Sequence, residues 1–396
     1  MHRTTQIEIA NATCTNFVAK FTGDRADADA SLKPDVTLFS KNNPVALRED
    51  FGKPSPATSF QNMELFVEFK HNTQHDPFQD ETSNAAAAFT VERDSNNGDN
   101  TRGQCALYAA NQLAYQHRVF AFSLVVCGER ARFIRWDREG AVVSAGIDCS
   151  KDHNLVIEFL QRFNQMTPEQ RGLDPTATPA TPGEIEAFRY AITNVGAESL
   201  KLSVGNQATY PRYRLEICDA GGEVSRYIVG KALDYNLGVV GRCTRGYLAL
   251  DLSTNQPVFI KDMWRPDVLG IEPEHVWYEK LTAANVPYLV KVKHGSDVVQ
   301  PAPTSNYHGT VPLKPTETTS RQGAQRGLTS RLAGLFGSDG PKLQGRVHYR
   351  LVQTELCRPL SEFKNSKQLV LVVLHSLKGR NTPGSCLTPS LIYWAG

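Results

Sequence analysis

The chain has 396 residues, of which 40% are hydrophobic, and its formal net charge at pH 7 is +2. This length predicts two or three domains, and the apolar fraction is sufficient to build their cores. A net charge this close to zero gives no overall indication of nucleic-acid binding, so any basic surface must be local.

The eight cysteines are scattered along the chain, and no two of them form a Cys-x-x-Cys pair. This spacing gives no support for a zinc ribbon or a thioredoxin-type site and favours a reducing compartment. The N-terminus lacks the apolar core of a signal peptide, and the longest aliphatic run, residues 369–374, is too short to cross a membrane. We therefore expect a cytoplasmic or nuclear protein with no membrane partner.

Residues 1–150 have the pattern of a compact α/β domain. Apolar positions at helical spacing predict a helix over residues 103–117, and the polar stretch at 91–102 before it is expected to be a loop. Runs of apolar and β-branched residues predict short strands at 36–39, 65–69, 119–126, 131–136 and 141–144.

A proline-rich segment at 174–183 marks a domain boundary. We assign residues 151–204 to a linker with short helices and residues 205–396 to a second, α+β domain. Within this domain, residues 300–345 are rich in Pro, Ser, Thr, Gly, Lys and Arg and have almost no aromatic residues. Such a composition cannot bury enough apolar surface to fold, so we expect a disordered insert there.

A glycine loop, a strand that ends in a lysine and a helix with a glutamate follow one another in the second domain. Gly241 and Gly246 lie at the ends of a short glycine loop, in which Cys243 takes the place of a middle glycine. A Val-Phe-Ile-Lys string ends at Lys261, and a predicted helix then carries Glu274. Glycines allow backbone amides to approach phosphates closely, and a lysine at the end of a strand can contact the same phosphates.

This part of the chain resembles the fungal-type protein kinase family. The matching segments are Gly-Arg-x-Thr at 241–244, Phe-Ile-Lys-Asp-x-Trp-Arg at 259–265, Val-Pro at 286–287, Arg-Leu-Val at 350–352, Pro-Leu-Ser-Glu-Phe at 359–363 and the helix at 367–377. With the N-terminal part included, the resemblance covers most of the chain. It implies an α+β fold in which the second domain is the small lobe of a protein kinase.

The resemblance also implies roles for individual residues. Lys261 would bind the α- and β-phosphates of ATP, and Glu274 would orient this lysine, with Glu279 as the alternative. The glycine loop would cover the phosphates. Glu355 lies at the entry to the hinge, whose backbone would meet the adenine. ATP and a protein substrate are therefore the implied partners.

Phosphoryl transfer in kinases also requires a His-Arg-Asp segment and an Asp-Phe-Gly segment in the second lobe. Neither segment follows Leu377, after which the sequence continues as Lys-Gly-Arg-Asn-Thr-Pro-Gly-Ser-Cys. We therefore expect a truncated kinase domain, a pseudokinase that binds ATP weakly and transfers no phosphate.

A second set of residues lies in the first domain. Asp35 follows a lysine and a proline at the start of one predicted strand, and Glu68-Phe-Lys70 ends the next. Carboxylate oxygens are the ligands that Mg²⁺ prefers, and Lys70 shares a strand face with Glu68 because side chains alternate. This pattern, with Gln104 on the following helix, resembles the PD-(D/E)xK nucleases. The resemblance implies Mg²⁺ bound by Asp35 and Glu68 and a nucleic-acid substrate.

Three functions remain open from the sequence. The chain is a kinase-family protein without phosphate transfer, a magnesium-dependent nuclease, or an interaction or effector protein with neither activity. Each motif also has a purely structural interpretation. Lys261 can be an ordinary lysine at a strand end, and Glu68 and Lys70 can be an ion pair on a solvated face.

Overall fold

The computed structural model describes residues 3–43, 58–80, 90–193, 210–219, 221–268, 270–301, 313–315, 345–357 and 363–380. The chain divides into two compact units. The first comprises Met1–Pro175, Leu237–Cys243 and Thr318–Arg346. The second comprises Thr176–Asn236, Thr244–Glu317 and Val347–Gly396.

The first unit is an α/β structure built on one mixed sheet. In chain order its elements are α1 (Arg3–Thr13), β1 (Phe17–Phe21), β2 (Val36–Ser40), β3 (Met63–Lys70), a 3-10 helix (Thr73–His75), α2 (Asn96–Tyr115), β4 (Phe120–Cys127), β5 (Arg130–Asp137), β6 (Gly140–Val143), β7 (Ile147–Asp148) and α3 (His153–Gln165). The sheet order is β1-β2-β3-β4-β5-β6, and β7 pairs with β5.

Strands β3 and β4 are parallel, whereas the neighbouring pairs β1–β2, β2–β3 and β4–β5 are antiparallel. A parallel pair needs a crossover connection, and the segment that contains α2 provides it. Helices α1 and α3 cover one face of the sheet, where Val67 and Phe69 are buried. On the other face, Phe66 of β3 packs edge-on against Tyr108 of α2 with ring centroids 5.5 Å apart.

Helix α2 begins earlier than predicted. The polar stretch at 91–102 is not a loop throughout, because Ser95 caps a helix that starts at Asn96 and accepts a hydrogen bond from the amide of Gly98 at 3.1 Å. A capping serine satisfies amides that would otherwise lack partners, so the first turns form although they contain few apolar residues.

The first unit also extends past residue 150, where the sequence placed the end of the domain. Helix α3 lies in the predicted linker 151–204, but Leu160 and Phe163 on it are buried in the core with α1 and the sheet. The apolar face of α3 therefore ties residues 153–165 to the first unit.

The second unit is an α+β structure built on one sheet. Its elements are β8 (Ala177–Pro179), α4 (Pro182–Thr193), β9 (Tyr213–Cys218), β10 (Val224–Val229), β11 (Asp234–Tyr235), β12 (Arg245–Asp251), β13 (Gln256–Pro266), α5 (Glu274–Ala283), β14 (Val292–Asp297), β15 (Val299–Pro301), β16 (Leu313–Pro315), β17 (Arg346–Gln353) and α6 (Ser366–Arg380). The sheet order is β14-β17-β13-β12-β10-β9-β8, and β11 pairs with β12.

Most of the insert predicted to be disordered, 300–345, falls outside the described residues. The exception is a small antiparallel hairpin, in which Val299–Pro301 pairs with Leu313–Pro315. At these positions the structure forms strands where the composition predicted disorder, because the two segments satisfy each other's backbone groups.

A buried carboxylate joins three strands of the second unit. Asp262 of β13 accepts hydrogen bonds from Arg245 of β12 and from Arg350 of β17, both at 3.0 Å, and lies 3.0 Å from the His348 ring. Trp264 stacks on His348 with ring centroids 4.8 Å apart. Burial alone would raise the pKa of Asp262, but the cations around it outweigh burial and hold that pKa well below its usual range.

Replacing this carboxylate should weaken the second unit strongly. We expect Asp262→Ala to cost about 3–5 kcal/mol of unfolding free energy, because it leaves buried cations without their partner. The matched control Glu216→Ala removes the exposed ion pair with Arg226 and should cost about 1 kcal/mol or less. Urea unfolding at pH 7 measures both, and equal losses would contradict this account.

Candidate functional site

The site of the second unit is centred on a buried ion pair. The Lys261 Nζ atom on β13 lies 2.8 Å from Oε1 of Glu274, the first residue of α5, and the two side chains are only 5% and 15% exposed. Of the two glutamates that the sequence offered, Glu274 makes this contact. The lysine is therefore fixed in place by a charge-assisted hydrogen bond.

The two predicted loop glycines have different surroundings. Gly246 lies in β12 directly across from Lys261, and a Cβ atom there would come within 2.7 Å of the Phe259 ring. Gly241 belongs to the first unit, where its amide donates to the Arg138 carbonyl at 3.1 Å. Cys243 adopts a left-handed φ of 42°, a conformation that glycine adopts more easily.

The segment after β17 contains the predicted hinge residue. The carboxylate of Glu355 accepts from the backbone amide of Lys291 at 3.2 Å and lies 3.6 Å from the ammonium group of the same lysine. This side chain is thus engaged away from Lys261, and a hinge role of its backbone stays a prediction. Burial raises the pKa of the Cys357 thiol to about 11, and the charge of Glu355 adds to the increase. The charge of Lys261 acts in the opposite direction, so this segment lies within electrostatic reach of the site.

The first unit brings together all four residues predicted for a nuclease. The Lys70 ammonium group donates to Oε1 of Glu68 at 2.6 Å and to Oε1 of Gln104 at 2.7 Å. Asp35, just before β2, accepts the backbone amide of Phe69 at 2.9 Å. Strand alternation puts Glu68 and Lys70 on the face that α2 covers, which is why residues distant in sequence meet here.

Glu68 is the electrostatically strained member of this group. Its side chain is 3% exposed, and the buried Oε2 atom has no hydrogen-bond partner. Burial raises the pKa of Glu68, and the charge of Asp35 adds to the effect, while Lys70 opposes it. A buried carboxylate oxygen without a partner is unfavourable, and a bound cation or a proton would relieve it.

A tyrosine that the sequence analysis did not single out, Tyr108, completes this cluster. The Gln104 amide donates to the Tyr108 hydroxyl at 2.6 Å, and that hydroxyl donates to the carbonyl of Lys33 at 3.0 Å. This chain of hydrogen bonds turns the Gln104 carbonyl oxygen toward Lys70. The spacing of four residues on α2 was the available signal, because it places both side chains on one helix face.

The metal-binding potential of this cluster rests on two carboxylates. Among the described residues, no group of three or more His, Cys, Asp and Glu side chains is arranged to hold a metal ion. Asp35 and Glu68 would therefore need backbone or water oxygens as further ligands. Magnesium commonly keeps several waters and binds through one or two carboxylates, so the residues present fit this ion.

A comparison with known protein families gives a match. The sequence model of a family described as fungal protein kinase matches residues 62–382, which is most of the chain. A search of curated proteins and a search of solved structures each found no match. None of the helices in the described part of the chain is long and apolar enough to cross a membrane.

The strain at Glu68 predicts a stabilising substitution. Its pKa is raised in the folded protein, so the charged form is penalised at neutral pH and the penalty disappears as pH falls through that pKa. We expect Glu68→Gln to gain on the order of 1 kcal/mol at pH 7 and less at pH 5. Glu64→Gln is the control and should destabilise, because it breaks buried contacts to Arg118 and Arg171. Thermal unfolding at both pH values tests this, and a loss for both variants would contradict it.

Proposed function

Because the chain belongs to the fungal protein kinase family, we propose that its second unit binds ATP with the phosphates at Lys261. The observation that carries this proposal is the buried Lys261–Glu274 ion pair. Protein kinases require a strand lysine held by a glutamate of the adjacent helix. The family activity is ATP-dependent phosphoryl transfer to protein, so ATP and a protein hydroxyl are the proposed substrates.

The chemistry of the pair follows from its charges. Lys261 offers a positive charge to the α- and β-phosphates, and Glu274 restricts the rotamers of the lysine before the nucleotide arrives. A preorganised charge needs little rearrangement on binding and gains from low solvent exposure. Gly246 leaves space across from the lysine, since any larger residue there would contact Phe259.

The role of Lys261 is tested by removing its charge. We expect Lys261→Met to weaken binding of a fluorescent ATP analogue about 10- to 100-fold, the value of a charge-assisted hydrogen bond. Lys280→Met is the matched control: this lysine of α5 is exposed and pairs with Glu272, so affinity should not change. Equal affinities of the Lys261 variant and the unmodified chain would refute the assignment.

Phosphate transfer is tested on the same preparations. Incubation with ATP, Mg²⁺ and a general protein substrate is followed by mass spectrometry of all proteins. Labelling that Lys261→Met abolishes assigns kinase activity to the chain. ATP binding without labelling assigns nucleotide binding alone, as the sequence predicted for a pseudokinase.

A second candidate function belongs to the first unit. We propose that Asp35 and Glu68 bind a divalent cation and that Lys70 orients a water for hydrolysis of a phosphodiester. The unpaired buried oxygen of Glu68 favours this proposal, because a cation would give it a partner. A bound cation lowers the pKa of water and offsets phosphate charge. Gln104 holds Lys70 at the site through its 2.7 Å hydrogen bond.

The two carboxylates are tested together with the lysine. We expect Asp35→Asn and Glu68→Gln to abolish Mn²⁺ binding in calorimetry, and all three changes, including Lys70→Met, to abolish cleavage of DNA or RNA. Glu158→Gln is the control, since this exposed residue lies on α3, on the opposite face of the sheet. Cleavage that survives all three substitutions would identify a contaminant. Blank results in both assays would leave a role as an interaction or effector protein, with protein partners as the prediction.

A further inference from the structure

We propose that helix α4 is an intrasteric element that covers the base side of the nucleotide site in the second unit. The inference rests on the ATP binding proposed at Lys261. In this proposal, α4 already occupies the surface of the sheet that the base of the nucleotide would contact.

Lys261 lies on a face of the sheet that continues from β13 into β12. Side chains alternate along a strand, so Phe259 lies on the same face of β13 as Lys261. In the neighbouring strand β12, Gly246 is opposite Lys261 and Leu248 is opposite Phe259. Residues directly opposite in an antiparallel pair share a face. Leu248 therefore extends the Lys261 face across β12.

Helix α4 covers this face beside the lysine. Phe188 and Ile192 of α4 are each only 2% exposed and pack in one cluster with Leu248 and Leu250 of β12. Ile228 of β10 completes the buried part of the cluster. Helix α4 thus lies on the face that bears Lys261, over the strands next to it.

This cluster lies where the base of a nucleotide bound at Lys261 would be. Leu248 lies two residues along β12 from Gly246, about 7 Å from the position that faces Lys261. Leu356, in the segment after β17 that was predicted to meet adenine, packs against the same cluster. A nucleotide whose phosphates bind Lys261 and whose base meets this segment would contact the surface that Phe188 and Ile192 occupy.

A ligand would have to compete with the packing of α4 and one ion pair. Ala187 and Ala191 pack beside the two buried apolar side chains of the helix. The Arg212 guanidinium lies 5.5 Å from the centroid of the Phe188 ring, and Arg214 of β9 lies 3.3 Å from Glu184. The same glutamate caps the helix by accepting from the amide of Thr181 at 2.7 Å. The apparent affinity for the ligand is proportional to the fraction of molecules in which the site is open. Weakening the attachment of α4 should therefore raise the apparent affinity.

The experiment compares two acidic substitutions on the same helix in the full chain. Ile192→Asp puts a charge into the cluster, whereas Tyr190→Asp changes a side chain that is 76% exposed. We expect Ile192→Asp to tighten binding of a fluorescent ATP analogue about tenfold or more and Tyr190→Asp to leave it unchanged. Circular dichroism verifies that both variants are folded, and Lys261→Met in each background verifies the site.

Hydrogen exchange gives a test that needs no substitution. In the unmodified chain, saturating ATP should speed exchange of the α4 amides if the nucleotide displaces the helix. Unchanged affinity of Ile192→Asp, or α4 amides that ATP leaves unchanged or protects, would overturn the inference while Lys261-dependent binding stands. If neither the unmodified chain nor Ile192→Asp binds ATP, the proposed function and this inference both fall.

Discussion

The second unit depends on the opposite environments of two consecutive residues in β13. Asp262 points to one face, where it forms ion pairs with Arg245 and Arg350 from the flanking strands. Lys261 points to the other face, where it meets Glu274. Shifting β13 by one residue would place the lysine among arginines and the aspartate beside Glu274, so the alternation fixes the register of the three strands. The position of Lys261 is thus set by a buried cluster on the other face of the sheet.

The two candidate sites differ in how well their buried charges are balanced. In the second unit, Lys261 and Glu274 compensate each other within 2.8 Å. In the first unit, Asp35 and Glu68 place two carboxylates near one ammonium group, and one oxygen of Glu68 has no hydrogen-bond partner. Strain of this kind is typical of sites that bind or react, because the missing interaction is left for a ligand. The buried charges of the first site are therefore less well compensated than those of the second.

Short-range patterns in the sequence predicted which side chains meet at the two candidate sites. Glu68-x-Lys70 and the lysine–helix–glutamate order of Lys261 and Glu274 depend on strand and helix periods, which are visible in sequence. The start of α2 was missed because a single capping serine, Ser95, outweighs a polar composition. The position of α4 was not predictable either: its apolar residues indicate that a face is buried, but periodicity does not identify the surface against which it packs.

The chain order of the two units has a consequence for synthesis and for dissection of the protein. The first unit includes Leu237–Cys243, which the ribosome makes only after residues 176–236 of the second. Within that segment, the Gly238 carbonyl accepts a 2.8 Å hydrogen bond from the buried guanidinium group of Arg138. In a fragment that ends at Pro175, the Arg138 guanidinium group would lose the Gly238 carbonyl as an acceptor. The loss of a buried hydrogen bond is unfavourable. In a nascent chain this hydrogen bond of the first unit can form only after residue 238 has been synthesised, and therefore after residues 176–236 of the second unit.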